Sequence, residues 1–464
     1  MAELTELLTD ALGAGKVSVG SDIGEDYTHD ESLTASWVTP AALVRVESVG
    51  DVRSVLSIAN EHGVPVTARG AGTGLSGACV PTADGILISF ERMNRIIEID
   101  ADNSVATVEP GVLLSQLDEA LAPSGLAYAV YPGEYSASLG GNVATNAGGM
   151  RAVKYGVTRH NVLGLQAVLA TGEVIETGGP VAKNSTGYDL TQLIVGSEGT
   201  LAIVTRATLK LVPRPRCGAT VLAPFTTVSE VAKAVPRIVA SGIGPALLEY
   251  VDMITMAATT HSADLNLGIP PAVKEKAAAY LVVGLEDSNE DRLEQVVETT
   301  CGLLDELGAM DLYVLPAESA AKLISAREKA FWVAKAAGAD EIVDTVVPRA
   351  MIPEFLAKAQ EVATANQTWI AGCGHAGDGN VHLAVFQKDP VILHTVLLEL
   401  FGAAMDLGGA ISGEHALGTE KKRYFEELED PAKVALMRRV KAAFDPKGIL
   451  NAGKVFDQEE VVAR

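Results

Sequence analysis

The stretch GVPVTARGAGTGLSGACVPTADGILISF, Gly63–Phe90, carries G-x-G-x-x-G at Gly72, Gly74 and Gly77, directly after an apolar run that reads as a strand. In a dinucleotide-binding βαβ turn a helix begins inside such a loop, and its amino end and close packing on the strand hold the pyrophosphate. Here Pro81 and then Asp84-Gly85 intervene, and the next pattern is a second strand, GILISF. No room remains for that helix. A Walker A loop fails as well, because no Gly-Lys-Ser/Thr follows. What remains is a row of backbone N–H groups between two strands, a nest suited to phosphate oxygens without a helix. Taken alone, the loop is equally a flexible glycine-rich turn.

Two further clusters share this chemistry. In YPGEYSASLGGNVATNAGGMRAVKYG, Tyr131–Gly156, small residues at Ser138, Gly141, Thr145 and Gly148 let backbone lie close to something flat. Asn142 and Asn146 in the same run can both donate and accept hydrogen bonds. GSEGTLAIVTRATLKLVP, Gly196–Pro213, opens a strand with close-approach positions at Gly196 and Gly199. Three such surfaces suit an extended ligand with a diphosphate and a planar ring.

The chain has 464 residues, more than one hydrophobic core usually serves, so two or three domains are expected. A net charge of −23 argues against nucleic acid and anionic membrane as partners, although a local positive site still admits an anionic substrate. The first residues, MAELTELLTDALGAG, have neither a basic n-region nor an apolar h-region, so no secretory signal or transit peptide is expected. No apolar run approaches the roughly 18 residues a membrane span needs. The scattered Cys79, Cys217, Cys301 and Cys373 form no C-x-x-C and fit a reduced, cytoplasmic protein. The glycine-rich part reads as a first domain, residues 1–215, closed by LVPRPRCG. A second domain, 216–425, shows strand-helix-strand patterns over 219–251 and 279–316, which suggest an antiparallel sheet with helices on one side. The tail, 426–464, reverts to glycine, proline and asparagine chemistry and is expected to return to the first domain.

GCGHAGDGNVHL, Gly372–Leu383, centres Asp378-Gly379, a strong type I′ hairpin signal, between two histidines. A turn centred there makes His375 and His382 a direct cross-strand pair, close enough for two ring nitrogens to converge on one ion. The alternative is two polar residues on a hairpin's wet face.

At this point the residues carry a resemblance. PVTARGAGTG, NVATNAGG and VGSEGTLAIVT resemble the FAD-binding domain of the vanillyl-alcohol oxidase and p-cresol methylhydroxylase (PCMH) superfamily. GHAGDGNVHL, SGEHALGTEKKRYF and FDPKGILNAGK resemble its D-2-hydroxy acid dehydrogenase branch, which holds D-lactate dehydrogenases, glycolate oxidase flavin subunits and D-2-hydroxyglutarate dehydrogenases. The likeness is collinear over nearly the whole chain. It implies an α+β fold: a PCMH-type FAD-binding domain of two α+β subdomains, then an α+β cap with a mainly antiparallel sheet.

The resemblance also implies site residues. FAD is expected against Arg69, Gly70, Ala71, Gly72, Thr73, Gly74, Leu75 and Ser76 in the first loop. From the second cluster Pro132, Gly133, Ser138, Gly141, Asn142, Thr145, Asn146 and Gly148 join it, and Glu198, Gly199, Ile203 and Asn451 complete the set. Relatives that tether FAD covalently often place a His where this loop has Thr73, so noncovalent FAD is expected. His375, His382 and Glu414 match ligands of zinc or a similar divalent ion (Mn²⁺, Fe²⁺, Co²⁺), and Cys373 is expected to be a buried small hydrophobe. His415 matches a base and Arg327 a substrate-carboxylate arginine, with Phe331 and Trp332 also expected at the substrate. The implied reaction takes the hydroxyl proton of an ion-bound D-2-hydroxy acid to His415 and a hydride from C2 to flavin N5. Hydroxyglutarate dehydrogenases carry Thr and Lys where this chain has Phe331 and Ile342, so D-lactate or a longer apolar acid is expected, with D-2-hydroxyglutarate or glycolate the alternative. Lys335 or Arg349 would have to serve a second carboxylate. Expected partners are the acid and an electron acceptor (a quinone, electron-transfer protein or cytochrome), with a homodimer compatible. Two other classes compete: a metallohydrolase with a phosphate-binding loop, which leaves two glycine surfaces idle, and a flavin-binding electron-transfer module, which leaves His415 and Arg327 idle.

Overall fold

The structure, a computed structural model, describes residues 2–457. Its fold is α+β, assembled on three main sheets. Strands Ala42–Arg45, Ile86–Ser89 and Val66–Arg69 lie parallel, with Val17–Ser18 antiparallel at the edge. The helix Val49–His62 covers this sheet because Val52, Val55, Leu56 and Ala59 recur at helical spacing and are all buried. Ser48 caps its start by accepting from Asp51 N, and Gly63, at φ 67°, ends it in the left-handed conformation. The next connection, residues 70–85, joins two parallel strands without regular helix, as the Pro81 and Asp84-Gly85 interruptions require.

A five-stranded antiparallel sheet follows, in the order Ile96–Asp100, Val105–Val108, Ile203–Lys210, Val162–Val168, Val174–Gly178. The short helix Leu139–Thr145 packs against Ile203–Lys210, bringing the second glycine cluster to the third.

The chain from Cys217 to Val346, with the hairpin Trp369–Phe386, builds a seven-stranded antiparallel sheet. One face packs Val221, Ala223, Phe225 and Val283 against helices Val228–Ala240, Glu290–Glu306, Ile352–Ala365 and Pro390–Asp406. The other face packs Leu222, Val251 and Val282 against Met253–Ser262 and Ala317–Glu328. Helices therefore cover both faces, not one. The second set was illegible because its amphipathic stripe is short and Ala-rich.

Helix Pro431–Phe444 still packs Val434 and Met437 on the core of the seven-stranded sheet, and the chain crosses back beyond it. Val66 N donates to Ile449 O and Asn451 N to Val66 O, so Leu450 bridges the first parallel sheet. This return hangs on Asp445, 2% exposed, which accepts from Ile449 N and Leu450 N and pairs with Lys441. Lys441 Nζ also donates to Thr200 O and Leu450 O, both at 2.8 Å. Among the described residues no helix is long and apolar enough to cross a membrane.

Removing one member of a buried ion pair strands the other, at a cost of about 3–5 kcal/mol. Asp445→Ala is expected to lower the melting temperature by several degrees in differential scanning calorimetry. Lys447→Ala, which removes one exposed bond to Asn60 O, should leave it nearly unchanged.

Candidate active site

Two cavities meet where the seven-stranded sheet faces the glycine loops. Gly70, Ala71, Gly72, Thr73, Gly74 and Leu75 line the first. So do Pro132, Ser138, Gly141, Asn142, Thr145 and Gly148, together with Glu198, Gly199 and Ile203. Ser138 ties the clusters together, since its Oγ accepts both from Ala71 N at 3.2 Å and from Gly141 N at 3.3 Å. Glycine is required at 70, where a Cβ would lie 2.0 Å from that Oγ.

Five expected residues do not line this cavity. Arg69 turns away, donating to His29 O at 2.6 Å behind the loop. Ser76 Oγ donates to His415 O at 2.6 Å. Asn146 Oδ1 accepts from Arg159 N, and Asn451 Nδ2 donates to Ala78 O and Glu198 O. These four shape the walls from outside. Gly133 lines the second cavity instead. Phe90, Cys79 and Ser197 line the first cavity without having been expected there. Burial pushes the Cys79 thiol up to about 11.

The second cavity, of about 120 Å³, is lined by Arg327, Phe331, Ile342, Cys373, His375 and His382 among others. Leu75, Pro132, Glu414 and His415 line both cavities and form the junction. Trp332 lies outside, 41% exposed, with its ring edge-on to Phe331. Lys335 pairs with Glu31 and Arg349 Nε donates to Gly377 O, so neither reaches the cavity.

The hairpin register differs from that read in the sequence. His382 pairs with Cys373, not His375, because the turn is longer than two residues. His375 begins it, its carbonyl accepting from Asp378 N and Gly379 N. The rings still converge, with centroids 5.0 Å apart.

Glu414 Oε1 lies 2.9 Å from His375 Nε2 and 3.2 Å from His382 Nε2. Tetrahedral ligands about 2.0–2.1 Å from a zinc ion are about 3.3 Å from one another, so this donor set matches the spacing and chemistry of a three-ligand divalent site with open positions. Burial alone would lower the His375 pKa, but Glu249 and Glu414 on either side hold it well above the usual imidazole value. Burial would raise Glu414, yet His375 and His382 hold it well below the carboxylate range. A cation at this position would take the place of the ring proton. Asp344, His382 and His415 form an overlapping group, but Asp344 is already engaged.

Asp344 is 0% exposed. Its Oδ2 accepts from Ser412 Oγ at 2.7 Å, His415 N at 2.9 Å, Glu414 N at 3.2 Å and Lys421 Nζ at 3.2 Å. Its Oδ1 accepts from Asn380 Nδ2 at 2.8 Å. Glu249, 1% exposed, lies 2.8 Å from His375 Nδ1 and 2.9 Å from Arg327 Nη2. Both carboxylates escaped the sequence reading. A signal was present: each sits in the interior of a strand, LLEYVD and EIVDTV, whose second acid lies at the strand's end, and a charge in mid-strand must be paired to be buried.

His415 is held from both sides. Asp344 grips its N–H from the seven-stranded sheet, while Ser76 takes its carbonyl from the glycine loop. Glu198 accepts from Leu417 N and Gly418 N at 2.9 and 2.8 Å. Burial brings the His415 ring down to about 4, against the pull of Asp344, so at neutral pH the imidazole is uncharged.

Comparison with known proteins matches residues 40–178 to an FAD binding domain and residues 214–455 to the C-terminal domain of FAD linked oxidases. The chain is 56% identical to an uncharacterized FAD-linked oxidoreductase of Mycobacterium tuberculosis, over 98% of this chain and 99% of that protein. It is 36% identical to a D-lactate dehydrogenase of Anaerostipes hadrus, covering 95% and 94%, and 38% identical to glycolate oxidase subunit GlcD of Bacillus subtilis, covering 90% of each. Among solved structures, p-cresol methylhydroxylase with substrate bound superposes with a TM-score of 0.80 at 19% identity, covering 98% of this chain and 97% of that one.

Gly418, at φ 53°, abuts the glycine loop so closely that a Cβ would stand 1.9 Å from Ser76 O. Gly418→Ala is expected to push the His415 segment off the loop, costing more than about 1 kcal/mol in stability. Thermal melting and visible flavin absorbance of the variant check this; a wild-type melting temperature would contradict it.

Proposed function

The chain belongs to the FAD-linked oxidases, in the branch of D-lactate dehydrogenases and glycolate oxidase subunits within the PCMH-type superfamily, and is an FAD-dependent oxidoreductase acting on CH–OH. From that premise we propose that it oxidises D-lactate and longer apolar D-2-hydroxy acids to 2-oxo acids. The observation that carries this reading is the junction of the two cavities at Glu414 and His415, which puts a donor cluster and a neutral base between cofactor space and substrate space.

Arg327 takes the substrate carboxylate in this reading. Its Nε and Nη2 are buried without a hydrogen-bond partner, which is costly unless a ligand supplies one. His375, His382 and Glu414 hold a divalent ion, for which zinc suits two imidazoles and a carboxylate. When bound, the ion polarises the 2-hydroxyl and the flavin accepts the two electrons. His415 receives the hydroxyl proton, and its low pKa lets it do so from the neutral state. Thr73 offers no histidine tether and the Cys79 thiol is not ionised, so FAD is held noncovalently.

The wall that faces the substrate side chain is apolar. Phe331, Ile342, Ala334, Ala371 and Ala384 line it, and no cation other than Arg327 does among the described residues, imidazoles aside. Glu328 also lines the cavity; burial pushes it up to about 7 and Tyr131 Oη donates to it at 3.1 Å. A second carboxylate finds no cationic partner here, and burying it without one costs several kcal/mol. The cavity is also small against the 300–1,000 Å³ of drug-sized sites, in keeping with a short acid.

His415→Asn is expected to lower kcat by at least about 10²-fold, the scale of general-base catalysis, with FAD and metal content near wild type. Steady-state kinetics with an artificial acceptor and elemental analysis read both. With the same acceptor, kcat/KM for D-lactate and D-2-hydroxybutyrate should exceed that for glycolate and D-2-hydroxyglutarate by about 10-fold or more. A preference for the dicarboxylate would defeat the substrate assignment.

A further inference from the structure

Glu249 stands on strand Leu247–Asp252, outside the expected site, yet its carboxylate touches two of the groups on which the proposed chemistry rests. Oε1 lies 2.8 Å from His375 Nδ1 in hydrogen-bond geometry. That contact fixes the ring with Nδ1–H toward the strand and Nε2 toward Glu414 and His382, the orientation a ligand nitrogen needs. Oε2 lies 2.9 Å from Arg327 Nη2, but neither atom is aligned for a hydrogen bond. The guanidinium thus has a neutralising charge beside it while Nε and Nη2 keep their donor directions unused. A fully aligned, bidentate pair would have consumed those donors.

We propose, building on the reading above, that Glu249 is a positioning residue with two separate duties: Oε1 orients His375 for the divalent ion, and Oε2 offsets the buried charge of Arg327 while leaving its donors free for the substrate carboxylate. The two duties have opposite signatures when the charge is removed. In Glu249→Gln, the amide oxygen turns to the Arg327 cation and its NH₂ faces His375 Nδ1. The tautomer that presents the Nε2 lone pair is then disfavoured and the ion binds less well. A substrate carboxylate, in contrast, no longer competes with a resident anion at Arg327. A residue that merely held the fold together would, when replaced, weaken both ligands.

The test uses chelator-treated holoflavoprotein, wild type and Glu249→Gln, titrated first with Co²⁺ or Zn²⁺. With the ion saturating, it is then titrated with propionate, which has the carboxylate but not the 2-hydroxyl. Flavin absorbance and the Co²⁺ bands report binding without turnover. Ion affinity is expected to fall about 10–100-fold, the usual scale for loss of an outer-shell partner. Propionate affinity is expected to rise at least about threefold as the competing charge leaves. Unchanged ion affinity, or propionate binding that is unchanged or weaker, overturns the proposal. Glu249→Asp, which keeps the charge but is one methylene shorter, should weaken the ion without tightening propionate; it decides the matter by its ion affinity if the Gln variant does not fold. A wild-type protein that binds no divalent ion removes the functional reading and this inference with it. A wild type that binds both ligands, with Glu249→Gln identical to it, removes this inference alone.

Discussion

The carboxylate of Asp344 is the group on which the geometry of the site depends. It is fully buried, and burial alone would favour its protonated form, yet His415, which becomes charged in the acid range where this carboxyl would take up its proton, together with Lys421 and His382 holds it well below the ordinary aspartate range. A charge in that position is tolerable only with its lone pairs filled. Ser412, Glu414, His415, Lys421 and Asn380 fill them. The backbone that carries the proposed ligand Glu414 and the proposed base His415 is therefore folded around one anion. That shared anchor fixes the spacing between two side chains of different duty.

The opposite constraint comes from the glycine loops. Gly77 faces Thr419, Gly148 faces Glu414 and Gly418 faces Ser76, each at a distance a Cβ could not occupy. Ser76 and Glu198 add hydrogen bonds to the same segment. The junction of the cavities is thus built by close backbone approach from one side and by buried charge from the other. Neither half of the chain holds the site alone, and its precision comes from their contact.

How far the sequence could be read follows from the same division. The first loop was legible because Pro81 and Asp84-Gly85 leave no space for a helix, and the parallel strands without a crossover helix are its consequence. The convergence of His375, His382 and Glu414 was legible through resemblance, whereas the hairpin register was not. Asp-Gly marks a turn but not its centre, and the carbonyl of His375 accepting two N–H groups lengthens the loop. Trp332 was expected at the substrate beside Phe331, but adjacent residues on a helix point about 100° apart, and it faces out. Glu249 and Asp344 lie far from the motifs in the chain, and only the order of strands in the seven-stranded sheet brings them in.

The bridge between Val66 and Leu450 has a consequence for how the protein is made. Val66–Arg69 is the outer strand of the parallel sheet, and the segment that pairs with its free edge at Val66 lies near residue 450, far later in the chain. Until that later segment has been made, the edge, with its unpaired N–H and C=O groups, is open to other chains. A polypeptide cut short before residue 450 therefore leaves the Val66 end of that edge as an exposed template for strand addition, the property that makes an open strand prone to aggregation.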